Sequence, residues 1–200
     1  MIKDDQAILF IVSRFLDYPD HAFMDEAQDL DAFVKKYISS EELREEVSIR
    51  LKPLVTMSLT ELQEHYVSLF DYKEKTGLYL TSQELGDSRK RGGALIQLQK
   101  LIEYLGFEHI GKELADYMPM LLELAAVAED CKELDGLKKR LAYAGQRIFS
   151  NLAETSPYYH IFDLLMSFAL KAPTADEISQ VESGREEADL DDMPYPMLYL

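Results

Sequence analysis

Apolar residues recur along this chain at intervals of three and four, the spacing that gathers them on one face of a helix. Ile8, Ile11, Val12 and Phe15 make the first such stripe, which stops before Pro19. A second helix is predicted over roughly 22–37, with Phe23, Leu30, Phe33 and Val34 available for burial. Ser39 with Glu42 and Ser58 with Glu61 have capping-box spacing, in which each partner satisfies an exposed backbone N–H of the other's turn. They open a third helix and a fourth that ends near Asp71. Gly106 is placed to terminate a fifth. Residues 114–128 and 134–152 continue the helical spacing, and Pro157 suits the first turn of a last helix reaching Lys171. No alternating run bounded by turn residues interrupts this pattern. The expected fold is all-α, a compact single-domain bundle of about eight helices over residues 1–172. Residues 72–86 form its least helical interior connection, a candidate functional loop.

That connection leads into a helix that starts against local rules. Gly86, Asp87, Ser88, Arg89, Lys90, Arg91, Gly92 and Gly93 precede the stripe Leu95, Leu98, Ile102 and Leu105. Asp87 or Ser88 can cap the first N–H groups, but three cations follow where the helix dipole favours anions. Each glycine in the opening turns costs about 1 kcal/mol relative to alanine. Sequences break local rules of this kind where a site demands it. In a functional reading, the glycines admit another backbone while an arginine reaches an acidic neighbour or a partner group. In a structural one, the segment is an unusual helix start with an internal Arg–Asp pair.

Charge narrows the partners. With 37 acidic against 21 basic residues and a net charge of −16, the chain repels a nucleic acid duplex or an anionic lipid surface, and no basic stripe offsets that field. A neutral or basic partner is expected, with no nucleic acid and no direct membrane binding. The single cysteine, Cys131, excludes an intramolecular disulfide and a cysteine-only metal site, and it fits a reducing compartment. The apolar run 7–12 is too short for a membrane span and is flanked by Asp4, Asp5, Arg14 and Asp17, unlike a signal peptide. A cytoplasmic location is expected. Between residues 173 and 192 stand eight acids and one base, Arg185. Such a segment buries too little surface to offset its ordering entropy, so 173–200 reads as an acidic, mobile tail. Its apolar end, 193–200, leaves docking on the body open.

Catalytic constellations are sparse. His21, His65, His109 and His160 stand apart from one another, and neither a paired-histidine metal helix nor a phosphate-cradling glycine loop occurs. Cys131 beside Lys132 has no evident base nearby. The chain is not expected to be an enzyme or to carry a cofactor or metal. An all-α adaptor and, below it, a small metal-dependent helical hydrolase remain as alternatives.

Four stretches, taken together, resemble a known family. Tyr66 to Asp71 reads Tyr-Val-Ser-Leu-Phe-Asp. Glu84 to Gly92 reads Glu-Leu-Gly-Asp-Ser-Arg-Lys-Arg-Gly, which looks like a GDSR-x-RG signature. Asp116 to Glu123 carries Asp-x-x-Pro-x-x-Leu-Glu, and Ser13 to Asp20 resembles the usual end of the first helix. In order and spacing they are similar to the nitrate reductase molybdenum cofactor assembly chaperones, the NarJ type within the TorD/DmsD group of redox-enzyme maturation chaperones. The likeness spans roughly residues 7–170 and does not reach the acidic tail.

The resemblance implies a non-catalytic helical chaperone that binds the N-terminal segment of the apo catalytic (alpha) subunit of respiratory nitrate reductase and supports molybdenum cofactor insertion. A basic, amphipathic peptide would approach an acidic body by charge and be held by an apolar groove. The candidate peptide-binding residues are Tyr66, Leu69, Phe70, Glu84, Asp87, Ser88, Arg89, Arg91, Gly92, Gly93, Asp116, Pro119 and Glu123. Among them Tyr66, Leu69 and Phe70 offer contact area, although a stripe of this kind equally suits a core. Arg89 orders the groove or takes a partner carbonyl, and Pro119 makes a bend or a helix start beside it.

Overall fold

The computed structural model describes residues 3–71 and 73–186, and among these it contains eleven helices and no strand. α1 (Asp4–Phe15) has Asp4 and Asp5 in its first turn and Arg14 in its last, the polarity its dipole favours. Ala7, Ile8, Leu9, Ile11 and Val12 are all buried. A helical run apolar on every side, as 7–12 is, belongs in the interior, and α1 lies along α8 (Met118–Val127), whose Leu121, Leu122 and Ala125 are fully buried. α10 (Pro157–Phe168) packs on α1, on α4 (Glu41–Val55) and on α9 (Lys132–Phe149). α5 (Leu59–Phe70) opens with the Ser58–Glu61 capping box. The third helix begins one residue later than expected: Ser40 caps it, while Ser39 bonds the Asp4 carboxylate instead.

Three further elements raise the count above eight. The stretch 22–37 divides at Asp29 into α2 (His21–Gln28) and α3 (Leu30–Tyr37). Phe15 meets Phe23 edge-on at 5.1 Å, and Phe10 stacks on Phe33 at 5.4 Å. Phe10 and Phe15 lie about 7.5 Å apart along α1, whereas Phe23 and Phe33 would lie about 15 Å apart on one straight helix. The break brings both rings to α1. The expected loop 72–86 contains α6 (Leu80–Leu85), positioned by Leu80 N–H to Asp116 O (2.8 Å) and Met118 N–H to Leu78 O (2.9 Å). Beyond α10 comes α11 (Ala175–Glu182), capped by Thr174 and Glu177, none of whose residues is buried. Residues 187–200, including the apolar end of the expected tail, lie outside the described residues. No described helix is long and apolar enough to cross a membrane.

α7 (Arg91–Tyr104) also begins later than the sequence suggests. Ser88 opens a turn by accepting Arg91 N–H at its carbonyl (3.1 Å), so Arg89 and Lys90 precede the helix and only Arg91 stands in its first turn. Gly106, at φ +86°, follows its end as expected.

Candidate functional site

Two of the motif stretches meet at a buried carboxylate, through Arg91 and Asp116. Asp116, just ahead of α8, is fully buried. Its Oδ2 accepts the Thr81 backbone N–H at 3.1 Å and the Thr81 hydroxyl. Arg91 donates from Nε to Thr81 Oγ1 (3.3 Å) and brings Nη2 to 3.9 Å from Asp116 Oδ2. The internal Arg–Asp pair therefore exists, and its arginine is Arg91. One turn along α6, Glu84 receives a two-pronged pair from Arg140 Nε and Nη2, both at 2.7 Å. These bonds tie α6, α7, α8 and α9 together.

The other candidates fall into three settings. Tyr66 and Phe70 are buried, with Phe70 edge-on to Tyr158 at 5.0 Å, and Leu69 is half-buried against the same core. In this arrangement they hold the interior rather than present a surface. Ser88 is buried, whereas Asp87, Arg89, Gly92 and Gly93 are exposed. Arg89 makes no hydrogen bond or ion pair among the described residues. Among the described residues, a Cβ at Gly92 or Gly93 would meet nothing within 4 Å, so none of them uses the close approach those glycines allow. Pro119 lies in the first turn of α8, a helix start rather than a bend, and Glu123 is exposed one turn further on.

Pro119 and Glu123 belong to a second feature, a groove that the motifs only partly mark. Between α1, α2 and α3 lies a cavity of about 420 Å³ floored by Phe10, Phe15, Leu30 and Phe33 and edged by Glu26, Asp29 and Glu123. Arg14 and Glu123 also line an adjoining hollow with Asp17, Glu113, Pro119 and Ile110. Glu123, His109, Ile110 and Met120 pass on into a third, between Ile102, Phe107, Leu124 and Val127. Each hollow shares residues with the next, so the three adjoin as one trough whose first and third parts are lined mostly by apolar side chains and whose middle is lined mostly by polar and charged ones. Its rim is acidic. Arg14 is forked onto Glu26 at 2.8 and 2.9 Å, which leaves Asp17, Asp29, Glu108, Glu113 and Glu123 as rim carboxylates.

A hydroxyl chain links this rim to the core. Tyr66 and Tyr117 share a hydrogen bond at 2.9 Å, and Tyr117 donates to Asp17 Oδ1 at 3.0 Å. Burial pushes both phenols above the usual tyrosine range, so both stay protonated and Tyr117 remains a donor to Asp17. Tyr66 thus supports the groove from behind.

Phe10, Arg14, Asp17, Glu26, Phe33, Ile110 and Met120 were not singled out from the sequence as binding residues. Two signals point to three of them. Arg14 and Asp17 sit on the polar side of the first apolar stripe, and Ile110 stands among polar residues in the connection after Gly106. Ile110 is 87% exposed, which a side chain of that size does not need for folding. Among the described residues, no group of three or more His, Cys, Asp or Glu side chains is arranged to hold a metal ion.

No family model matches the chain. It is 36% identical over 126 residues to a probable nitrate reductase molybdenum cofactor assembly chaperone NarJ of Bacillus subtilis (strain 168), across 63% of this chain and 68% of that one. To the nitrate reductase molybdenum cofactor assembly chaperone NarJ of Escherichia coli (strain K12) it is 32% identical over 176 residues, 86% of this chain and 73% of the other. A probable chaperone of the same description, NarW of Escherichia coli (strain K12), is 26% identical over 185 residues, 91% of this chain and 76% of its own. With this identity and coverage, the chain belongs to the nitrate reductase molybdenum cofactor assembly chaperones of the NarJ type.

Proposed function

We propose that this chain is a chaperone of nitrate reductase assembly that binds the N-terminal segment of the apo catalytic subunit and keeps the subunit open for molybdenum cofactor insertion. The groove formed by α1, α2, α3, α8 and the connection 105–117 is the binding surface in this reading. One observation carries it: three adjoining hollows, apolar at both ends and bounded by five rim carboxylates, on a chain whose relatives are named as assembly chaperones. An amphipathic helix lays its apolar side chains into such a trough, and basic residues beside them meet the acidic edge. Net charge of −16 speeds the encounter, while burial supplies the hold.

The chain itself needs no reacting group for this work. A strain lacking it is expected to make the nitrate reductase catalytic subunit in ordinary amount but short of molybdenum cofactor, as read by molybdenum content of the purified subunit. Full cofactor loading in that strain would contradict the proposal.

A further inference from the structure

The chain's own C-terminal part is docked on the signature segment. α11 rides on α6 and α9, with Lys139 3.8 Å from Glu177 and Arg147 3.6 Å from Glu182. The chain then runs extended beside Gly86. Glu186 N–H donates to Leu85 O (3.1 Å) and Asp87 N–H donates to Glu186 O (3.0 Å), a parallel bridge around Gly86.

The fit is built from both sides. Gly86 has φ +64°, a conformation that favours glycine, and a Cβ there would lie 1.8 Å from Glu186 O. Ser88 donates its hydroxyl to the Glu186 carboxylate at 3.0 Å. The Arg185 side chain is 5% exposed, with Nη2 2.6 Å from Glu74. Arg185 is also the one base between residues 173 and 192. A stretch with eight acids and a single cation has buried that cation, which a merely solvated tail does not do.

We infer that Leu85–Ser88, together with Glu74, is a docking slot for an extended Arg-Glu segment, occupied here in cis by residues 185 and 186. Backbone pairing supplies the hold, as in strand addition to a sheet edge, and the arginine with its carboxylate partner supplies the selectivity. The slot lies beyond the opposite end of α7 from the groove and shares no residue with it. An extended partner segment that reaches the Leu85–Asp87 backbone must displace residues 185 and 186, so the C-terminal segment gates the signature face.

Amide hydrogen exchange on the full chain tests this without any nitrate reductase component, so its outcome is separate from that of the groove proposal. Asp87 N–H is expected to be protected in the unaltered chain. Arg185→Glu is expected to raise its exchange rate about tenfold while the core amides of Leu98 and Ile102 stay unchanged. The hexapeptide Ser-Gly-Arg-Glu-Glu-Ala, supplied at about 10 mM to exceed the millimolar effective concentration of a tethered segment, is expected to restore protection to the variant. The same peptide with alanine for arginine is expected to have no effect. Should Arg185→Glu disturb the core amides, Glu74→Gln removes the same pair from the other side and is expected to raise Asp87 exchange several-fold. Unchanged Asp87 exchange in the variant with an intact core, or failure of the arginine peptide to restore protection, would overturn the inference.

Discussion

Asp116→Ala is expected to lower the unfolding free energy by about 3 kcal/mol, read by urea denaturation of the full chain. The carboxylate is fully buried and takes both the N–H and the hydroxyl of Thr81. Its loss leaves two buried donors unsatisfied, at about 1–3 kcal/mol each before relaxation. Asp116→Asn keeps an acceptor and the shape but gives up the attraction of Arg91, so a smaller loss, about 1–2 kcal/mol, is expected. Arg89→Ala is the control. Its exposed side chain has no partner within the described chain, and a change within about 0.5 kcal/mol is expected. If Asp116→Ala proved as stable as the unaltered chain, the buried carboxylate would not be what joins α6, α7 and α8.

The largest effect on binding is expected from the double variant Ile110→Asp with Glu123→Lys. Ile110 is almost wholly exposed and Glu123 lies where the three hollows meet. Neither side chain supports the core, so stability should change by no more than about 0.5 kcal/mol. Affinity for the catalytic subunit's N-terminal segment should fall about 100-fold, equivalent to about 2.7 kcal/mol. Salt separates the two contributions. Raising it from 0.1 to 1 M shortens the Debye length from about 10 to about 3 Å, so the on-rate for the unaltered chain should drop several-fold. A negative heat-capacity change should persist throughout, as apolar burial requires. Binding that disappears at high salt without that signature would make the contact electrostatic only.

How much of this was legible in the sequence depended on how local each cause is. The α1, α5 and α10 stripes and the Ser58–Glu61 cap are set within a few residues, and they lie where the pattern puts them. The break at Asp29 is not local, since it serves ring contacts to Phe10 and Phe15 on another helix. Nor is α6, whose six residues are fixed through Leu80 and Leu78 to Asp116 and Met118.

The signature shows the same division. Its rule-breaking start marked an Arg–Asp pair, but which arginine makes it depends on where α7 begins. Ser88 delays that start to Arg91, so Arg91 reaches Asp116 while Arg89 stays in solvent. The aromatic stripe of α5 suited core and groove alike, and the T-shaped contact of Phe70 with Tyr158 decides for the core. The groove itself is assembled from residues 10–33 and 102–127, stretches far apart in sequence; the 13–20 and 116–123 motifs touch it, but of the candidate binding residues only Pro119 and Glu123 line it.

The central claim is that a peptide from the catalytic subunit lodges in the acid-rimmed groove. Its most direct test is an NMR titration of the isotope-labelled full chain with a synthetic N-terminal segment of a nitrate reductase catalytic subunit. Saturable shifts are expected to concentrate on Phe33, Ile110, Met120, Glu123 and Val127, with little change at Tyr158 in the core. Shifts confined to Asp87–Gly93 and α11, or no saturable shift at all, would contradict it.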